Sequence, residues 1–126
     1  MNGVLMLCDD LMFSSQVTAT GRALNIPVAV ARTPASAAKK AAEAPPACVI
    51  LDLHNTSLVL PELLVELKKS SSPRVVAFGS HVNAELLKAA RDAGCDLVMP
   101  RSQFHKLLER DLAKWVAVES GGTASP

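Results

Sequence analysis

Four short stretches of this chain run from apolar residues straight into side chains able to do chemistry. "VLMLCDD" ends in Asp9 and Asp10, "CVILDLHN" carries Asp52 and His54, "VVAFGSH" closes on Gly79, Ser80 and His81, and "LVMPRS" on Arg101 and Ser102. A carboxylate buried alone at the end of an apolar run is costly, so Asp52 needs partners. If the acids meet, their like charges repel and call for a cation. Mg²⁺, which takes carboxylate, carbonyl and water oxygens, answers that need. So does the Arg101 guanidinium, which is planar, always charged and long enough to reach across a crevice. Taken alone, Asp9 and Asp10 also fit a helix N-terminus satisfied by acids. A hydrolase triad of Ser80, His81 and Asp52 is the other chemistry to weigh. Adjacent Ser and His side chains on one strand end seldom face each other, and the chain holds no nucleophile elbow. Its glycines form no phosphate-binding fingerprint. No catalytic residue is assigned, and the chain is read as not an enzyme. His105 falls in the first turn of the last helical segment and is read as solvated.

The elements that must position these residues can be read from apolar pattern and punctuation. Five apolar runs, "VLMLC", "VAVA", "ACVIL", "VVAF" and "DLVM", are unbroken rather than alternating. That is the pattern of parallel strands covered on both faces. Phe13, Val17 and Leu24 mark the inner face of a first helix. Thr33 before Pro34 caps the Ala-rich second. Pro61 opens a third, with Leu63, Leu64 and Leu67 inward. Asn83 caps a fourth that Gly94 ends. Ser102 caps the fifth, whose inner stripe is Phe104, Leu108, Leu112 and Trp115. The alternation predicts an α/β fold, a doubly wound (βα)5 unit in three layers, with a five-stranded parallel sheet in order 2-1-3-4-5. Such sheets bind ligands at the carboxyl ends of the strands, where strand order reverses. That point, between strands one and three, brings Asp9, Asp10 and Asp52 into one acidic pocket lined by Gly79, Ser80 and Arg101.

Bulk composition narrows the function classes. The chain has 126 residues, 49% hydrophobic and 20% charged, which suits one globular domain. Residues 1–118 are assigned to it and 119–126, "ESGGTASP", to a flexible tail. A net charge of +1 gives no electrostatic case for nucleic acid or an acidic membrane surface. Three Phe, one Trp and no Tyr leave little for stacking on single strands. No apolar run reaches the length of a membrane span, and the entry into "VLMLC" without a basic flank argues against a leader peptide. Cys8, Cys48 and Cys95 are far apart and show no metal spacing, so they read as reduced thiols of a cytoplasmic protein.

The segments "VLMLCDD", "CVILDL", "VVAFGS" and "AGCDLVMPRSQF" resemble, in order and spacing, the landmarks of the CheY-like receiver domain of two-component response regulators. The resemblance covers the chain to about Val118. It implies a flavodoxin-like fold and a place in phosphorelay signal transduction. It matches Asp52 to the phosphoacceptor aspartate and Asp9 and Asp10 to the acidic pair. The metal ligands it implies are Asp10, Asp52 and the backbone carbonyl of His54. The departures are as informative. Gly79 stands where the family has a Ser or Thr, Arg101 where it has a Lys, and Val98 where it has a switch aromatic. "LHNTSLVLP" replaces the usual Pro- and Gly-containing loop.

The acids are kept and the switch residues are not, which resembles a pseudo-receiver. The chain is therefore read as a single-domain receiver-like protein acting through a protein partner, a histidine kinase or another signalling protein. A homodimer through helix four, strand five and helix five is the associated expectation, with Arg91, Arg101, Lys106 and Arg110 in that part of the chain. The Asp52 carboxylate is expected within salt-bridge or single-water reach of Arg101, two parallel hydrogen bonds being the usual form, in a pocket that binds Mg²⁺ weakly. The alternative is a conventional receiver phosphorylated on Asp52 by a histidine kinase with Mg²⁺. A small-ligand binder or an enzyme on the same fold ranks behind both.

Overall fold

In the computed structural model, residues 3–55, 58–69 and 71–121 are described, without the side chains of 118–121. Five strands alternate with five helices: β1 (Val4–Leu7), α1 (Leu11–Ala23), β2 (Val28–Ala31), α2 (Pro34–Glu43), β3 (Cys48–Asp52), α3 (Leu60–Leu67), β4 (Arg74–Gly79), α4 (Ala84–Ala93), β5 (Leu97–Pro100) and α5 (Arg101–Gly121). All strand pairs are parallel, in the order β2-β1-β3-β4-β5. The unbroken apolar runs have the cause that their pattern suggested. Successive strand side chains point to opposite faces, and both faces are covered. Val4, Met6, Cys48, Ile50, Val76 and Phe78 pack with α1 and α5, including Phe104, Leu108, Leu112 and Trp115. Leu5, Leu7, Val49, Leu51, Val75 and Ala77 pack on the other side with residues of α2, α3 and α4.

Punctuation explains most helix ends. Thr33 accepts from the Ser36 N–H ahead of Pro34, and Asn83 accepts from the Leu86 N–H. Gly94 ends α4 at φ 110°, a left-handed conformation that only glycine adopts without strain. Three positions differ from the sequence reading. Leu24 is not on the inner face of α1: the helix ends at Ala23, and Leu24 is its exposed C-cap. The last inner position is Gly21, where an added Cβ would lie 2.5 Å from Val28 Cγ2 and 2.6 Å from the Ile26 carbonyl. Bare backbone, not an apolar side chain, therefore closes that end of α1 on β2. Ser102 is not a cap either, because β5 runs without a break into α5 at Arg101 and leaves Ser102 inside the first turn. Pro100, with no N–H to give a ladder, is tolerated because β5 is an edge strand. The helix α5 continues to Gly121, three residues into the segment read as a tail, and 122–126 lie outside the described residues.

Candidate functional site: the Asp52–Arg101 pocket

Strand parity decides which side of the sheet the acid faces. Cys48, Ile50 and Asp52 share the α1/α5 face of β3, and Asp52 pairs in register with Phe78 on β4. Cys8, directly after β1, lies on the same side. Asp52 is thus held at the sheet's carboxyl edge, 3% exposed. Its Oδ1 accepts from the His54 N–H at 3.0 Å. Its Oδ2 lies 3.6 Å from the Cys8 Sγ, a weak S–H donor, and 3.5 Å from Arg101 Nη2.

Arg101 reaches this point because it is the first residue of α5, set against the sheet end by the uninterrupted β5–α5 passage. Its other terminal nitrogen, Nη1, is 3.9 Å from Asp10 Oδ2. One guanidinium therefore bridges two carboxylates, within the salt-bridge reach of Asp52 that the sequence reading expected, instead of forking on one acid in the usual two-bond form. The bridging arrangement follows from Asp10, whose Oδ1 is committed as the N-cap of α1, accepting from the Phe13 N–H at 3.1 Å. The guanidinium carbon also sits 4.9 Å from the Phe13 ring centroid and 5.5 Å from that of Phe78. All three phenylalanines of the chain gather here, with Phe78 and Phe104 stacked at 4.7 Å and Phe13 and Phe78 at 4.9 Å. Aromatic faces attract a cation, so the seat and the two acids hold Arg101 in the same place. Arg101 is thereby committed to the acids and the rings while its side chain stays 41% exposed.

The other expected members of the pocket divide. Asp9 is exposed and makes no ion pair among the described residues. Gly79 is buried at the end of β4, and a Cβ there would be 3.4 Å from both His54 Nε2 and Leu87 Cδ2. Ser80 contributes its backbone: its N–H donates to His54 Nε2 at 2.8 Å. The imidazole Nε2 is thus the acceptor for a backbone donor of the neighbouring strand end. It latches the turn after β3 to the turn after β4. Asn55, 6% exposed, ties the same turn to β2 by donating to the Arg32 carbonyl at 2.9 Å. His81 and His105 are exposed.

Sequence reasoning passed over Cys8, Phe13, Phe78, Asn55 and the His54 ring as parts of this site. For Cys8 and Phe78 the signal was the strand pleat, since each shares a face with Asp52. Burial pushes the Cys8 thiol up to about 11, and the nearby Asp52 charge pushes the same way. Cys8 is therefore a neutral wall of the pocket rather than a nucleophile.

The donor set for a metal is oxygen-only: Asp10, Asp52 and the His54 carbonyl. Those ligands suit a hard divalent cation in type. Among the described residues no group of three His, Cys, Asp or Glu side chains is placed to hold a metal ion. Each of the two carboxylates also already faces Arg101, so a cation has to compete with the guanidinium.

No protein-family model and no curated protein sequence matches this chain. Solved structures do. The receiver domain of NtrX from Brucella abortus matches at 22% identity and a TM-score of 0.70, over 87% of this chain and 98% of that one. A two-component response regulator from Clostridium difficile matches at 13% identity and a TM-score of 0.80, over 98% of this chain and 100% of that one. The fold is that of a response-regulator receiver domain. A third receiver-fold match is a response regulator from Burkholderia pseudomallei that carries a phosphorylated aspartic acid, a calcium ion and citrate. It has 16% identity and a TM-score of 0.72, over 98% of this chain and 76% of that one. Among the described residues no helix is long and apolar enough to cross a membrane.

Proposed function

We propose that this chain is a receiver-like module of two-component signalling whose phosphoacceptor position, Asp52, is held by Arg101 and which acts by binding a protein partner. The observation that carries the reading is the Arg101 bridge to Asp52 and Asp10 on its seat of Phe13 and Phe78. A phosphoryl group on Asp52 would need the cation to let go of the carboxylate it neutralises. Gly79 supplies no hydroxyl to register such a group, so its arrival would lack a readout through β4. Asp10, Asp52 and the His54 carbonyl would be the residues to hold a weakly bound Mg²⁺, which would shield the charge of the carboxylates. Binding, not turnover, is the activity assigned, and the partner face is the one formed by α4, β5 and α5, with Arg91 and Arg110 exposed on it. The conventional alternative, transfer from a histidine kinase to Asp52, draws on the same placement of Asp52 beside Asp10 at the end of β3.

Incubation with acetyl phosphate and Mg²⁺, followed by intact-mass and peptide mass spectrometry, separates the two. The Arg101-held reading expects no stoichiometric adduct. A base-labile phosphoryl group filling Asp52, with a change in association state, overturns it.

A further inference from the structure

All three histidines of the chain converge on one cavity. His54 comes from the turn after β3, His81 from the turn after β4 and His105 from the first turns of α5. They line an open space of about 900 Å³ that Phe13, Arg101 and Lys106 also border. No Asp or Glu lines it, and its walls are largely apolar. The volume is that of a small-ligand site, and mostly apolar walls with a few converging polar groups are what such sites use. Chemistry then narrows the ligand. Phe13 and His105, with ring centroids 6.5 Å apart, give one wall aromatic character. Lys106 is exposed and has no carboxylate partner among the described residues. Arg101 meets its acids only at 3.5 and 3.9 Å, so N–H donors remain to it on the cavity side. The acids beside Arg101 disfavour an anionic group at that end. Lys106, five residues and about 7.5 Å of helix rise farther along α5, is where negative charge is welcome.

We infer that this cavity binds a small aromatic anion, its ring against Phe13 and His105 and its charged group at Lys106. The site adjoins the acidic pocket and shares His54, Ser80 and Arg101 with it, while Lys106, its charge anchor, belongs to the cavity alone. An occupant would touch the outer side of Arg101, so it would report on the same guanidinium that holds Asp52.

The probe is 8-anilinonaphthalene-1-sulfonate on the intact protein, read by fluorescence titration beside its uncharged analogue N-phenyl-1-naphthylamine. We expect saturable one-to-one binding of the sulfonate, about tenfold or more tighter than that of the neutral dye. Lys106→Glu should weaken it by a similar factor. Lys39→Glu, the same charge change on exposed α2 of the opposite face, should leave it unchanged. A thermal melt checks that the Lys106 variant is folded, and Lys106→Met replaces it if it is not. Equal binding of the two dyes, equal loss in the Lys106 and Lys39 variants, or no saturable binding would overturn the inference.

Discussion

Replacing Arg101 by Met should leave Asp52 buried beside apolar side chains without its cation. At the observed 3.5 Å, two unit charges attract by about 5 kcal/mol at an effective dielectric of 20. That gross figure is an upper bound, because the Arg101 side chain is 41% exposed while that of Asp52 is only 4%. Breaking a fully buried pair costs about 3–5 kcal/mol and an exposed pair about 0–1 kcal/mol. A half-exposed cation on a buried acid lies between them, at about 2 kcal/mol. Met keeps an unbranched apolar stem against Phe13 and Phe78, so the loss reports the charge more than the packing. Adding Asp52→Asn removes the stranded charge, and the double variant should recover part of the loss, with a coupling of about 1–2 kcal/mol. Urea unfolding of the wild type, both single variants and the double variant gives all four values. A stability for Arg101→Met within about 0.5 kcal/mol of wild type, or strictly additive effects, would refute the reasoning.

Arg101→Met should also tighten Mg²⁺ about tenfold by calorimetric titration, since the ion no longer competes with the guanidinium for Asp10 and Asp52; unchanged affinity would mean that the guanidinium does not compete. Gly79→Ser should fold with a stability change within about 1 kcal/mol, because its Cβ meets neighbours no closer than 3.4 Å. Combined with Arg101→Lys it should raise the rate at which acetyl phosphate labels Asp52, and a rate no higher than wild type would count against both residues as the cause. Burial raises the thiols of Cys8, Cys48 and Cys95 to about 11, 12 and 11 from 9.0. The unfolded chain therefore releases these protons first, so stability is unaffected by them below pH 9 and falls as pH rises from 9 toward 11, by up to about 1.4 kcal/mol per thiol per pH unit. Urea unfolding from pH 8 to 10.5 should show that fall in the wild type and a smaller one in Cys48→Ala. Charge reversal of Arg91 and Arg110 together should weaken self- or partner-association in sedimentation or pull-down, and unchanged association in both would remove α4–β5–α5 as the partner face.

Strand order, layer assignment and most helix starts were legible because they rest on local chemistry: apolar runs too continuous for one-sided strands, Thr33 before Pro34, Asn83 and Gly94 around α4. Two local signals misled. Leu24 continued the period of α1, but the helix had already ended so that Gly21 could approach β2. Ser102 is a good N-cap by type, yet β5 passed directly into α5. The site was legible as far as its charges. Asp52, Asp10 and Arg101 are polar residues at strand ends, and topology alone brings those ends together. What supports them was not, because it depends on register and side-chain reach across strands. Phe13 and Phe78 read as ordinary core until their rings are found under the guanidinium, with Phe104 stacked behind them. His54 entered only through its carbonyl, whereas its ring closes the gap to Ser80. Cys8 read as a core thiol with no part in the site, and it lies in contact with Asp52.

The Arg101 hold on Asp52 is tested most directly by nitrogen-detected NMR of the Arg101 guanidinium while Mg²⁺ and beryllofluoride, a phosphoryl mimic, are added. A held guanidinium predicts slowed rotation of its terminal nitrogens in the free protein and resonances that do not shift further when beryllofluoride is added at constant Mg²⁺. Freely rotating nitrogens at the outset, or a saturable shift of the Arg101 and Asp52 resonances at stoichiometric mimic, would contradict it.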